Sequence, residues 1–430
     1  MILAKKIKIE VSEEDARTLE FMQGKCRGLY NWWIGKLRDG EKWPGWKVAK
    51  KTLQASKKHD PELEQVYGKL LQEVYFRIDK SMKDFFRRVK EGSKPGFPRV
   101  RPRHNFFTLV YPAMYIQIEK GIIRLPTGGK GKKKQYPDIY ARLTEEAPTG
   151  FKEVAISRDA RGNYYASFPM EVEEEKQAEW NEEKASVVAF DLGMKTLAVG
   201  TNDQGRVYHI GGFKGTRWYN KQLDKIRSKR DKCKKKSRRY IRLSKVYKRV
   251  SERKRNKRQD SLHKASHLIA HKLVERTVVV GDLSQKQMVT NEHKEHNKYL
   301  NRAVYNDWCL YTFIQMLKYK CQRYGKDLQI IDERNTTKMC SGCGHIQPMP
   351  LWKRTYCCTE CGLVMDRDEN SSVNILNRYH IGLAAILFWY IARLGPHAPV
   401  SECGVLHDGN DEGGVAVMPH FPIVQQLTLW

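Results

Sequence analysis

The chain is 430 residues long, with 79 Lys and Arg against 49 Asp and Glu and a formal net charge of +30. Its length permits about two to four domains with real cores, and its 40% hydrophobic and 30% charged residues exclude a disordered chain. So large a charge surplus repels itself in a compact fold, so a polyanionic partner is expected.

Residues 2–10 alternate as a β-strand, Ile7 and Ile9 against Lys8 and Glu10, and lack the apolar core and cleavage site of a secretory signal. From Ser12 to Glu91 the pattern turns helical, with Tyr30, Trp32, Trp33, Tyr75, Phe76, Phe85 and Phe86 recurring among bases. Helical spacing makes most of these rings core, while Lys83, Arg87, Arg88 and Lys90 leave a basic face able to track phosphates. LysProGlyPheProArgValArgProArgHis (94–104) breaks the helices and adds Arg99 and Arg101 to that basic set. Strands follow at 106–111, 115–119, 121–125, 153–157 and 163–168, and with strand 2–10 they predict a small β-barrel carrying a helical insertion. Gly128 to Lys134 reads as a basic, flexible phosphate-contacting loop, and 173–184 as a linker.

A buried strand then ends at Asp191, a turn follows at Gly193, and a second strand returns through AlaValGlyThr (198–201). In Lys221 to Arg258 roughly half the residues are Lys or Arg, without Pro or Gly, which predicts two long helices. A face so charged is unstable without an anion, so Lys221, Arg227, Arg230, Lys234, Arg238, Arg242, Lys248, Arg253 and Arg258 are candidate contacts to a nucleic-acid backbone. A strand at 276–283, a helix from Tyr299 to Arg323 and a strand at 327–333 complete the order of an α/β sheet. The longest apolar run, Gly382 to Leu394, is too short to span a bilayer and contains Arg393.

Two constellations carry chemistry. Cys340-x2-Cys343 and Cys358-x2-Cys361 give four thiolates for a closed, structural Zn2+ tetrahedron, with Cys357 the less favoured neighbour of Cys358. This usage of cysteine points to a reducing cytoplasm, and with no apolar run long enough to span a bilayer no membrane partner is expected. Asp191 at a strand end and Asp368 before a helix are the kind of carboxylates that hold two divalent cations for phosphodiester hydrolysis. A lone Asp at such a place is more often a cap, so the combination matters.

AspLeuGlyMetLysThrLeuAla (191–198), ArgGlnAspSerLeuHisLys (258–264), ThrThrLysMetCysSerGlyCysGly (336–344), CysCysThrGluCysGly (357–362), AspArgAspGluAsnSerSerValAsnIleLeu (366–376) and GlyPheProArgValArg (96–101) together resemble the transposon-encoded TnpB proteins. These are relatives of compact type V CRISPR effectors and Fanzors. The resemblance implies a multidomain α/β protein. A RuvC-like, RNase H-fold nuclease domain spans 185–337 and 363–394, including the basic pair 212–272, and a zinc-binding knuckle inserts at 338–362. A β-barrel wedge domain spans 1–11 and 93–180, with a helical recognition domain at 12–92, and the tail 395–430 is expected to be poorly ordered. It also implies a guide RNA from the transposon end, cleavage of double-stranded DNA beside a short flanking motif, and two catalytic Mg2+ ions, with Mn2+ as an alternative. A monomer and a homodimer are both compatible with it.

One position departs from the family pattern. Where its members usually carry Glu before AspLeu on the middle strand, this chain has Gly281, which cannot bind a metal. Asp282 points to the opposite face, whereas Glu333, ending the neighbouring strand about 4.8 Å away, can refill the ligand position. Asp191, Glu333 and Asp368 are therefore the expected catalytic, magnesium-binding set. If Glu333 instead pairs with a nearby Arg or Lys, the chain is a nuclease-inactive, RNA-guided DNA-binding protein resembling a repressor. Retention of two facing acids, costly when buried without metal, favours the active reading.

Overall fold

The computed structural model describes residues 2–129, 131, 134–173, 186–282, 302–350, 352–394 and 427–429. The chain divides into two compact units, 1–173 and 174–430; the expected linker begins at this boundary, and 174–185 lies outside the described residues.

In the first unit β1 (Ile2–Glu10) leads into helices α1 (Glu13–Arg38), α2 (Trp46–Lys51), α3 (Leu53–His59) and α4 (Gly68–Lys90). Ser12 starts α1 by accepting the Asp15 backbone N–H at 3.1 Å, and Glu13, Glu14 and Asp15 suit the positive end of the helix dipole. Tyr30, Trp33 and Tyr75 join the core, but Trp32, Phe76 and Phe86 stay 48%, 39% and 59% exposed, so fewer of these rings are buried than expected. Six further strands follow: β2 (Leu109–Pro112), β3 (Gln117–Glu119), β4 (Ile122–Leu125), β5 (Ile139–Leu143), β6 (Glu153–Arg158) and β7 (Tyr164–Glu171). They form one antiparallel sheet with β1, in the order β2-β6-β7-β1-β5-β4-β3, with β2 and β3 as its ends. β5 was not anticipated, although Ile139, Ala141 and Leu143 alternate inward. Gly128 turns out to serve close packing: a Cβ there would lie 2.3 Å from the Gln65 carbonyl carbon, and its N–H donates to Gln65 O at 2.9 Å. Lys134 from the same loop pairs with Asp138 at 2.6 Å.

The second unit contains β8 (Val187–Asp191), β9 (Ala198–Asn202), β10 (Val207–Ile210), α5 (Thr216–Asp231), α6 (Arg238–His267), β11 (Thr277–Gly281), α7 (Leu310–Arg323), β12 (Asp327–Ile331), β13 (Thr355–Cys357), β14 (Val364–Asp366), α8 (Arg367–Leu394) and β15 (Leu427–Leu429). Its six-stranded sheet runs β12-β11-β8-β9-β10-β15, with β8, β11 and β12 parallel and β9 antiparallel to both its neighbours. Strand alternation splits the core in two. Val188, Phe190, Val278 and Val280 pack with α6 and α7, whereas Val187, Ala189 and Val279 pack with Ile375 and Leu376 of α8. Asp191 and Gly281 continue the second series, so both face α8, and Asp282 takes the other side.

Several expectations are corrected here. The helix at 299–323 is interrupted, as a π-turn at Ala303–Asp307 ends before Cys309, whose φ of 45° breaks the helical path ahead of α7; 299–301 lie outside the described residues. The strand at 327–333 stops at Ile331. β10 was not anticipated. Asp368 sits inside the first turn of α8, not before it, and α8 runs on to Leu394 through the apolar stretch. Residues 395–426 lie outside the described set, but Leu427–Leu429 pair parallel to β10. No helix among the described residues is long and apolar enough to cross a membrane.

Candidate active site and metal knuckle

Parallel pairing sets the acids side by side. Val280 lies opposite Phe190, so Gly281 falls beside Asp191 as the register continues, and Gly281 pairs with Ile331 on the other side. Two residues beyond Ile331, Glu333 bends back over Gly281. A Cβ added at Gly281 would lie 1.8 Å from Glu333 Oε2 and 2.8 Å from its Cβ and Cδ. The Glu333 carboxylate thus fills the volume of the missing side chain. Its Oε2 is shut off from solvent with no hydrogen-bond partner. Arg334, the nearest cation in sequence, turns instead to Asp332, its Nε 2.7 Å from Oδ2.

Burial, then the charge of Asp368, pushes the Asp191 carboxyl up to about 7, with a Ser371 hydrogen bond acting in the opposite sense. Burial, followed by the charges of Asp191, Asp282 and Asp332, pushes Glu333 up to about 8. Asp191 is therefore the hub, coupled to each of the other two acids. Glu333 and Asp368 are linked only through Asp191; among the described residues only the cysteine set brings all its ligand atoms within 4.8 Å of one another. Asp368 has company of its own, since Arg354 and Arg367 both reach its carboxylate, at 3.0 Å each.

A pH dependence follows with a definite sign. Both carboxyls titrate above their ordinary values of 3.8 and 4.5, so the folded state holds more protons than the unfolded one between those values and about 7 to 8. Their contribution to stability is complete at low pH and is lost as pH rises through that upper window. Without added divalent cation, the melting temperature of wild type should fall from pH 5 to 8.5 more steeply than that of an Asp191→Asn/Glu333→Gln double variant. Parallel curves would contradict the coupling.

The knuckle gathers Cys340, Cys343, Cys358 and Cys361. The Sγ atoms of Cys340 and Cys361 are 3.6 Å apart, as are those of Cys343 and Cys358. Tetrahedral zinc with Zn–S near 2.3 Å would ask for about 3.8 Å. Backbone N–H groups, first that of Cys361, pull the Cys358 thiol down, which favours the thiolate a metal requires. Cys357 belongs to β13 and stays outside the cluster.

Sequence reading missed what AsnSerSerValAsn (370–374) does. Asn370 donates to Met339 O at 2.7 Å and accepts from Ser341 N at 2.9 Å. Asn374 donates to Thr336 O and Met339 O, at 2.8 and 2.7 Å. Ser371 reaches the Thr336 hydroxyl at 3.0 Å, and Ser372 lies 2.6 Å from that of Thr201 in β9. All four side chains are essentially inaccessible to solvent. Asn370, Ser371 and Asn374 tie the segment running from Glu333 to the first cysteine onto the helix that carries Asp368, and Ser372 ties that helix to β9. The sequence carries no signal for this, since four small polar residues within little more than one helical turn read as a solvated face.

The basic helices α5 and α6 form as expected. Lys221, Arg227, Lys234, Arg238, Arg242, Lys248 and Arg253 are exposed, as are Arg87, Arg99 and Arg101 in the first unit. Several basic residues here also have internal partners. Arg227 donates to Tyr247 OH at 2.7 Å, Arg230 pairs with Asp231 at 2.8 Å, and Arg258 lies 4.0 Å from Asp307. Lys254, within the basic run, is buried and pairs with Asp307, and Asn220 bridges both. This ionic knot joins α5, α6 and the π-turn. Beside it, Lys195, Lys214, Arg217 and Arg258 line a cavity of about 370 Å³ next to the turn that follows Asp191.

The fold and these two constellations define a multidomain α/β protein with an acidic site and a four-cysteine knuckle. Parts of the chain match known proteins. The family described as "Probable transposase" matches residues 167–292, which contain Asp191, the basic helices and Gly281. The "Cas12f1-like, TNB domain" family matches 311–375, which contain Glu333, the four cysteines and Asp368. A "TnpB-like protein" of Acanthamoeba polyphaga mimivirus is 30% identical over 154 residues, covering 36% of this chain and 28% of the relative. A "Putative RNA-guided DNA endonuclease" of Streptomyces pristinaespiralis is 36% identical over 153 residues, covering 35% and 33%. The matched parts make up less than two thirds of either relative. In fold, the chain is similar to a protein solved in a Cas12f1-sgRNA-target DNA complex, with a TM-score of 0.55, 14% identity and coverage of 85% of this chain and 83% of the other. These matches support a TnpB-like family.

Proposed function

We propose that the chain is an RNA-guided DNA endonuclease with a RuvC-like nuclease domain, which takes a guide RNA and cleaves double-stranded DNA beside a short flanking motif. The observation that carries this reading is Glu333, whose carboxylate fills the space over Gly281 beside Asp191 with a shielded, unpartnered oxygen. An inert site gains nothing from burying a carboxylate so. Asp191, Glu333 and Asp368 supply hard oxygen donors, and their mutual repulsion is relieved by divalent charge, so the set suits Mg2+ or Mn2+. Two such ions, when bound, activate water and stabilise the leaving oxygen in phosphodiester hydrolysis. The chain's own part is to keep the three carboxylates on one face of the sheet and limit solvent at Asp191. The four thiolates suit structural Zn2+, leaving no open position for chemistry. Residues 1–11 and 93–180 then act as the wedge and 12–92 as the recognition domain.

The test is purification with co-bound RNA, then plasmid cleavage in Mg2+. Guide-dependent cutting lost in Asp191→Asn and Asp368→Asn, with target binding kept, is expected. Target binding without any cutting would leave the non-cleaving DNA-binding reading, which draws on the two arginines at Asp368. The basic helices give a separate expectation. Changing Arg238, Arg242, Lys248 and Arg253 together to Gln should lower the log–log salt slope of nucleic-acid binding by about three. An unchanged slope would remove α6 from the interface.

A further inference from the structure

The two arginines at Asp368 differ in kind. Arg367, the chain neighbour, gives Nε at 3.2 Å and Nη2 at 3.0 Å to Oδ1, and donates from Nη1 to Lys353 O at 3.4 Å. Its side chain is 11% exposed, so it is a fixture. Arg354 comes from the knuckle's arm, between the two cysteine pairs. Only its Nη1 reaches Asp368, 3.2 Å from Oδ1 and 3.0 Å from Oδ2, and the side chain is 39% exposed. Among the described residues its guanidinium has no other hydrogen bond or ion pair. A guanidinium carries five N–H donors, so most of this one's are unspent beside the acids. Its backbone is nevertheless fixed. Arg354 O accepts from Arg367 N at 2.7 Å, and the next residue, Thr355, pairs with Asp366 in the β13–β14 ladder. The side chain can therefore swing while its anchor stays in place.

Resting on the nuclease reading above, we infer that Arg354 is a latch on the acid site. It occupies both Asp368 oxygens as a surrogate cation and weakens divalent-ion binding until a backbone phosphate draws the guanidinium away. The exchange is chemically matched, because phosphate and carboxylate are both bidentate partners of arginine. The unspent N–H donors sit on a partly exposed side chain and are available to a phosphate that reaches the acids. Ion loading then becomes coupled to the arrival of nucleic acid, and Arg354 acts as a positioning residue through Asp368.

Mn2+ binding tests the latch without reference to turnover. The full-length, zinc-loaded chain is titrated with Mn2+ in the absence of nucleic acid, free ion is followed by electron paramagnetic resonance, and Asp368→Asn defines the background. Arg354→Met should tighten the Asp368-dependent site by about tenfold, as removal of one close like charge implies. Arg354→Lys should stay near wild type, and Lys353→Met, which removes a neighbouring charge that does not touch Asp368, should change it less than about twofold. A single-stranded DNA oligonucleotide should then tighten Mn2+ binding more in wild type than in Arg354→Met. If Arg354→Met shifts affinity no more than Lys353→Met, or the oligonucleotide helps both proteins equally, the latch is refuted and the nuclease reading survives. If none of the proteins has an Asp368-dependent Mn2+ site, both fall together.

Discussion

A single methyl group at position 281 is expected to stop cleavage while guide and target binding persist. In Gly281→Ala the new Cβ would lie 1.8 Å from Glu333 Oε2, far inside contact distance, and the carboxylate would have to leave. Glu333→Ala should give the same loss directly. Each should lower the single-turnover rate by at least about a thousandfold, since a carboxylate that holds the catalytic ions is worth several kcal/mol of transition-state stabilisation. Gly281→Glu alone should also fail, because its side chain starts from the same clash and would set two carboxylates in one volume. Only the exchange Gly281→Glu/Glu333→Gly, which moves the acid back onto the middle strand, should recover part of the rate. Plasmid cleavage and gel-shift binding on these four proteins decide the matter. Wild-type cutting by Gly281→Ala, or by Glu333→Ala, would show that the relocated acid has no part in the chemistry.

Why the juxtaposition of Glu333 and Gly281 could be read from sequence is a matter of parity. Gly281, Ile331 and Glu333 share one face because side chains alternate along parallel, registered strands, so a glycine at one place and an acid at the next strand's end form a legible pair. The cysteines were legible from spacing, and the helices α5 and α6 from composition. What could not be read was set by partners remote in sequence. β10 is only four residues long and its pattern is no stronger than that of a turn. The polar residues of α8 look like a solvated face until the loop they bond, more than 30 residues upstream, folds over them. Arg354 is one of many arginines in the sequence, and its place on Asp368 depends on the knuckle's fold. Gly128 looked like a phosphate loop because its real neighbour, Gln65, is more than 60 residues away.

Loss of zinc should disable the acid site from a distance. Glu333 and Cys340 are separated by six residues, and that stretch is held on α8 by Asn370, Ser371 and Asn374. With the thiolates uncoupled, Thr336–Ser341 would lose one of its two anchors, and both Glu333 and Arg354 would lose fixed backbone. Cys358→Ser is therefore expected to release zinc, lower the melting temperature and abolish cleavage, with amide exchange accelerating over 333–376 while the sheet core at 187–191 stays protected. Structural zinc sites in small domains contribute about 10–16 kcal/mol of apparent binding free energy, so their loss is felt as local unfolding. Cys357→Ser, whose sulfur lies outside the cluster, should keep both zinc and activity. Asn374→Ala tests the second anchor separately. It strands the buried carbonyl of Thr336, while Met339 O keeps its bond from Asn370, at a cost of about 1–3 kcal/mol for an unsatisfied buried polar group, and should loosen 336–341 with zinc still bound. If Cys358→Ser loses its zinc yet cuts at the wild-type rate, the knuckle does not support the acids, and the bonds between 336–341 and α8 hold them unaided.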